Sequence, residues 1–139
     1  MTKSLSIPVL MIGAILLLVS SCATVPTEPL ASGEMRLLSL EVQQKEDLRE
    51  SLPIVVHISF VANDNPEIVT ACFFWSGNGP SCSKVTYLNY GTPGMIKVQL
   101  LPKSAGLIAL EGYIVYKKDG KTVSTNVVGT NIRIIRPSL

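Results

Sequence analysis

The side chains of this 139-residue chain best suited to chemistry are three cysteines, Cys22, Cys72 and Cys82, and a single histidine, His57. Redox or zinc chemistry at Cys72 and Cys82 needs a CxxC spacing or further ligands, but these two are ten positions apart and His57 stands alone. His57 alternates with Val55 and Ser59, which makes it an outward strand residue. General-base work there needs a nucleophile within about 3 Å, and no neighbouring residue in sequence supplies one. In Phe74-Trp75-Ser76-Gly77, Phe74 occupies the place of the first glycine of a G-x-S-x-G elbow. Gly77-Asn78-Gly79 leads into Pro80 and a strand, whereas phosphate loops open a helix. The carboxylates are scattered singly, so Glu67 and Glu111 do not read as an acid/base pair. The expectation is a protein without catalytic activity, metal site or cofactor.

The most informative stretch is N-terminal. Lys3 precedes an apolar run from Ile7 to Val19, and the small residues Ser20 and Ser21 stand before Cys22. A basic start, an apolar run and small residues in that order make a signal peptide. The run of 13 residues is shorter than the roughly 20 needed to cross a bilayer as a helix. The ending Val19-Ser20-Ser21-Cys22 resembles the lipobox of bacterial lipoproteins. That resemblance implies cleavage before Cys22, a diacylglyceryl group on its sulfur and acylation of its new amino group, with palmitate a natural label. In a Gram-negative host, Ala23 after the cysteine implies sorting to the outer membrane, facing the periplasm. With Cys22 consumed by lipid, Cys72 and Cys82 remain as an even pair in an exported protein, where disulfides persist. They are expected to be bonded to each other.

Removal of residues 1–21 leaves 118, enough for one domain with a single core. Residues 22–33 hold two prolines and several small side chains without a period, which reads as a lipidated cysteine plus tether. The folded domain is expected over 34–139. Its charges are uneven. From Ala23 to Glu67 three basic residues face eight acidic ones, and from Lys84 onward eight basic residues face Glu111 and Asp119. Two salt-screened faces of one domain are the simpler reading, and a basic face against anionic lipid or cell-wall polymer is the sharper one. The net charge of +2 does not call for nucleic acid.

Along the domain, period-two alternation marks strands. Leu38, Leu40 and Val42 share one side, and Ile54, Val56, Ile58 and Phe60 another. Between them Lys45–Ser51 reads as a short helical turn ended by Pro53. Ile68–Ser76 is apolar on both faces, as a central strand covered on both sides would be. Gly77–Pro80 reads as a turn, returning the chain through a strand from Cys82 to Tyr90. Ile96–Leu100 alternates next. Asp119-Gly120 then joins two alternating runs as a two-residue hairpin, placing Tyr116 opposite Val123, and Val127–Gly129 interrupts the period as a bulge.

About seven short strands without a convincing helix predict an antiparallel β-sandwich, with a small closed barrel as the alternative. Length and strand count resemble an immunoglobulin-like module in architecture. Trp75 falls on the third strand, where such modules bury a tryptophan, whereas their cysteine pair between the second and sixth strands is absent. The disulfide-clasped tip Ser76–Ser81, with Trp75, Asn78, Ser81 and Tyr87, is the candidate recognition surface, because aromatics beside a rigid loop give contact area at small entropic cost. Together these features predict a membrane-anchored envelope lipoprotein whose sandwich contacts an envelope protein or cell-wall polymer. The alternative is a small periplasmic inhibitor or ligand-binding module of the lysozyme-inhibitor type, which a lysozyme inhibition assay separates from the first reading.

Overall fold

The computed structural model describes residues 28–138, so Cys22 and the segment before Glu28 lie outside it. Among the described residues nine strands follow one another: β1 (Met35–Val42), β2 (Ile54–Ala62), β3 (Ile68–Trp75), β4 (Asn78–Ser83), β5 (Val85–Asn89), β6 (Gly94–Leu100), β7 (Gly106–Lys118), β8 (Lys121–Ser124) and β9 (Val128–Ile134). Among the described residues no helix is long and apolar enough to cross a membrane. One sheet has the order β1-β2-β6-β5, and the other β4-β3-β7-β8 with β9 also paired to β7. All strand pairings are antiparallel. A four-stranded sheet in the order first, second, sixth, fifth, opposed by third, seventh and last strands, is the immunoglobulin-like sandwich arrangement, here with β4 added at an edge.

Alternation fills the space between the sheets. Val56, Ile58, Ile96 and Val98 of the first sheet are fully buried against Ala71, Phe73, Leu110 and Ile114 of the second. Two close approaches complete the packing. A Cβ on Gly94 would lie 2.3 Å from the Phe60 ring, and one on Gly112 would lie 2.9 Å from Phe73. Glycine is required at both places by space.

Several expectations change. Leu38 does not share a side with Leu40 and Val42: the register slips between Leu37 and Ser39, so Leu37 is buried and Leu38 exposed. An extra residue in one strand re-aims every side chain beyond it. A second slip, between Ile68 and Thr70, turns Ile68 toward the core and leaves Val69 48% exposed, so β3 is not covered on both faces throughout. Lys45–Ser51 forms no helical turn. That segment instead seals the sandwich mouth, with Leu48 buried and backbone hydrogen bonds from Glu50 N–H to Ile135 O, Ser51 N–H to Pro102 O and Ile135 N–H to Leu48 O.

The expected strand from Cys82 to Tyr90 divides at Lys84. Its first part, β4, pairs with β3 in one sheet, and its second, β5, pairs with β6 in the other. The expected turn also moves. Trp75 is opposite Asn78, so the hairpin loop is Ser76-Gly77 alone, with φ of 48° and 80°. Positive φ at both residues is the type I′ geometry. The same geometry recurs at Asp119-Gly120, with φ of 51° and 74°, as the Asp-Gly pair predicts, and Tyr116 stands opposite Val123.

The interruption expected as a bulge at Val127–Gly129 lies instead at 125–127, a break between β8 and β9 that the neighbouring side chains close, and Val128 and Gly129 belong to β9. Ile114 N–H donates to Thr125 Oγ1 at 2.9 Å, while Thr125 N–H donates to Ile114 O at 2.9 Å. Asn126 reaches the other sheet: its Oδ1 accepts from Leu37 N–H at 2.8 Å and its Nδ2 donates to Leu37 O at 3.0 Å. One amide thus satisfies the backbone of β1 at its bulge and ties the two sheets along that flank. Asn126→Ala should lower stability by about 1–2 kcal/mol, the loss of two net hydrogen bonds. An unmoved urea midpoint would exclude this tie.

The other flanks are short or blocked. β5 has five residues, and β4 carries Pro80 within a slip of register between its pairings with Phe73 and Trp75. Proline is tolerated at such an edge because no ladder partner needs its missing N–H.

Residues 28–34 belong to the folded body, which shortens the expected tether. Arg36 Nη1 donates to Glu28 O at 3.2 Å, Asn63 Nδ2 to Leu30 O at 3.2 Å, and the Ser32 hydroxyl to Asp64. Glu34 Oε1 lies 2.9 Å from Lys118 Nζ. The Lys118 hydrogen bond, followed by the one from Ala31 N–H, holds the Glu34 carboxyl below its ordinary 4.5, and the same bond holds the Lys118 ammonium above its ordinary 10.5. A lowered carboxyl pKa gives stability present above the unfolded value and lost as pH falls through the folded one. A raised ammonium pKa gives stability present below the unfolded value and lost as pH rises through the folded one. The pair therefore persists across the neutral range. Glu34→Gln should be less stable than the parent at pH 7, and the two should converge as pH drops below 4.5. A gap that stays constant through the acid range would count against this origin.

Part of the charge asymmetry of the sequence is taken up in pairing. Each of the three ion pairs among the described residues joins an early carboxylate to a late cation: Glu34 with Lys118, Glu67 with Lys117, and Glu50 with Arg136. At these three places the acidic and basic stretches meet across the fold. Exposed pairs of this kind contribute little each.

Candidate functional site

Cys72 and Cys82 are directly opposed on β3 and β4 and are joined as a disulfide. The bridge lies on the outer face of the second sheet. Tyr113 stands opposite Cys72 on β7, and the Phe74 ring lies 5.7 Å from that of Tyr113. Cys72 is buried beneath this cover.

The hairpin so clasped does not project as a free tip. Ser76 extends the ladder toward β7: its N–H donates to Ala109 O at 2.8 Å, and its Oγ accepts from Ala109 N–H at 3.2 Å. Asn78 to Ser81 are strand residues of β4. Trp75 is half-buried against the core, opposite the fully buried Leu110, while Phe73 fills the deep position. The tryptophan of the third strand thus sits at the mouth between the sheets, one inward position nearer the surface.

That placement makes a groove of about 390 Å³, lined by Trp75, Asn78 and Ser81 together with Gln99, Leu101 and Lys103 among others. One wall comes from β3 and β4, and the other from the end of β6 and the β6–β7 loop. Three of the four candidate recognition residues are brought together here. Tyr87 is not among them. It lies on the outer face of the first sheet, with Lys97 Nζ 5.0 Å from its ring centroid. The division of the chain at Lys84 separates them, because β5 follows β6 and not β3.

Chain order alone does not group Gln99, Leu101 and Lys103 with Trp75. Their contribution follows from the sandwich, which sets the end of β6 beside β4. The only available signal was the apolar Leu100-Leu101 preceding Pro102. Groups in the groove can donate and accept hydrogen bonds around one aromatic wall, and Lys103 adds a positive charge at the rim.

The same end of the domain carries exposed apolar side chains. Leu107 is 72% exposed and Leu52 and Leu101 are each 52% exposed, with Ile135 nearby at 38%. The hydrogen bonds from Ser51 to Pro102 and from Glu50 to Ile135 draw these segments together. Arg133 lies opposite Leu107 across the β7–β9 pair.

His57 lies where alternation placed it, on the outer face of β2, between Glu41 and Lys97 in a cross-strand row. Its Nε2 is 3.2 Å from Gln43 Oε1. Among the described residues no cluster of histidine, cysteine or carboxylate side chains could hold a metal ion.

No family model matches the sequence, and no curated protein matches it. Among solved structures, the chain is similar to a cohesin module from a family 33 glycoside hydrolase of Clostridium perfringens, at 13% identity and a TM-score of 0.36, covering 73% of this chain and 99% of that one.

Proposed function

We propose that this chain is an exported lipoprotein anchored through Cys22, whose sandwich is a non-catalytic module that binds a protein partner at the Trp75 end. The observation that carries the binding half is Leu101, more than half exposed in the groove wall, with Leu52 and Leu107 also more than half exposed on segments at the same end of the domain. Exposed apolar side chains scattered singly need no explanation, but several gathered at one end mark an interaction site. Backbone hydrogen bonds from Ser51 N–H to Pro102 O and from Leu52 N–H to Arg49 O fix the segments that bear Leu52 and Leu101, and Leu107 stands on β7, which lowers the ordering cost of association. Lys103 and Arg133 beside this patch favour a partner whose apolar centre has an acidic rim.

The membrane half rests on the residues before Ala23. Acyl chains contribute about 0.8 kcal/mol per buried CH2, and two or more chains hold a protein firmly at a bilayer. Confinement to that layer raises the effective concentration of the module for any partner in the same layer.

The halves are tested separately. Cys22→Ser should abolish incorporation of radiolabelled palmitate and partition into membranes; a variant that keeps both removes the anchor. For binding, a photo-crosslinking residue at position 101 should capture a discrete protein in the native membrane, and one at position 122 should not. The double variant Leu101→Ser/Leu107→Ser should reduce that capture about tenfold or more with little change in melting, since both side chains are exposed. Equal capture from both positions, or capture of glycan strands alone, would sink the protein-binding reading.

A further inference from the structure

We infer that the mature protein stands on the bilayer with its Asp119 end inward and its Trp75 end outward, so that the groove is presented away from the lipid. This rests on the proposed attachment through Cys22, and the residues from Glu28 onward supply the rest.

The chain enters the sandwich at one end only. Glu28 O is held by Arg36, Leu30 O by Asn63, Ser32 by Asp64 and Glu34 by Lys118. Asn63 N–H also donates to Glu34 O at 2.9 Å. These partners lie at the start of β1, in the loop after β2 and at the end of β7, all beside the Asp119-Gly120 turn. Six residue steps separate Cys22 from Glu28. At no more than about 3.6 Å each, they span at most about 22 Å. Glu28, which Arg36 holds at that end, therefore stays within about 22 Å of Cys22.

The groove lies at the opposite end. β7 runs the length of the domain, 13 residues from Gly106 beside the groove to Lys118 beside the N-terminal clasp. At about 3.3 Å per residue that is roughly 40 Å. The leash is shorter than the body it holds, so the body cannot turn over and bring its far end to the lipid. Lying flat on the first sheet would take the charged Glu41 and Lys97 and the polar His57 out of water, along with Leu38 and Tyr87 of the same face. An upright domain leaves those groups in water and sets the apolar Leu101 and Leu107 toward the space beyond.

The experiment uses the full-length lipidated protein in vesicles with an energy acceptor on the lipid headgroups. A donor dye is attached to Lys121→Cys at the Asp119 end or to Ser104→Cys at the groove. Flotation with vesicles is scored first. Transfer from position 121 should exceed that from position 104 severalfold, and about fifteen glycine and serine residues inserted after Thr27 should bring the two values together. Floating protein with equal or reversed transfer before insertion overturns the orientation and leaves the anchor standing. Protein that does not float overturns the anchor, and the orientation with it.

Discussion

Gly94→Ala should be among the most damaging single substitutions in the domain, lowering stability by about 3 kcal/mol although it adds one methyl group. The new Cβ would stand 2.3 Å from one ring carbon of Phe60 and under 2.8 Å from two others. Phe60 is 1% exposed and edge-on to Tyr90, whose hydroxyl donates to Pro66 O. The ring therefore has nowhere to retreat. Overpacking a rigid core typically costs 1–3 kcal/mol, and an overlap with three ring atoms belongs at the upper limit. For a domain of this size the melting temperature should fall by roughly 10–18 °C. Adding Phe60→Leu should make the two changes non-additive, because the smaller side chain vacates the space the methyl group needs. A Gly94→Ala protein that melts with the parent would show that the β2–β6 pair yields more readily than its packing implies.

The second large effect is expected from the disulfide. Cys72 and Cys82 close a loop of ten residues. In the chain-entropy account this stabilises by about 2.5–3 kcal/mol through restriction of the unfolded chain. Cys72→Ala/Cys82→Ala should lose about that much, and the parent under reducing conditions should approach the double variant. Position matters as well as loop length. β4 is an edge strand with exposed residues along most of its length, so the bridge is its principal hold on β3. Proteolysis should therefore cut the double variant first within Asn78–Lys84. Identical denaturation curves for parent and double variant would show that ladder hydrogen bonds alone hold this strand.

Much of the architecture was legible because period-two alternation and turn chemistry are local. Ile54–Phe60 and Ile96–Leu100 alternate without a fault, and both form paired strands buried on the side expected. Asp119-Gly120 encodes its own backbone conformation. Slips of register are harder to read, because Leu37 and Leu38 are chemically alike and only pairing with β2 decides which of them turns inward. Ser76-Gly77 was hidden for a related reason: Gly79-Pro80 looks more like a turn than Ser-Gly does, yet an edge strand accommodates both. The passage from one sheet to the other at Lys84 leaves no mark on the alternation, which continues whichever strand lies alongside.

The site was half legible. Trp75, Asn78 and Ser81 are close in sequence, so one hairpin brings them together whatever the fold. Lys103 and Leu101 joined them through an arrangement of sheets that no local pattern announces. Tyr87 was grouped with them through the assumption of one continuous strand, and it moved to the other sheet when that strand divided. Asn126 gave no signal either, since its role depends on a bulge some ninety residues earlier in the chain.

The treatment of the outer strands bears on how the molecule behaves when crowded. A neighbouring copy seeking to extend either pleated layer would find the Asn126 amide already bonded to β1, only five residues on β5, and Pro80 in the middle of β4. None of these borders offers a long uninterrupted template, which is the requirement for stacking into fibrils. Strand pairing between densely packed copies should therefore be confined to the seven residues of β9, which leaves each copy free to turn its groove to a different neighbour.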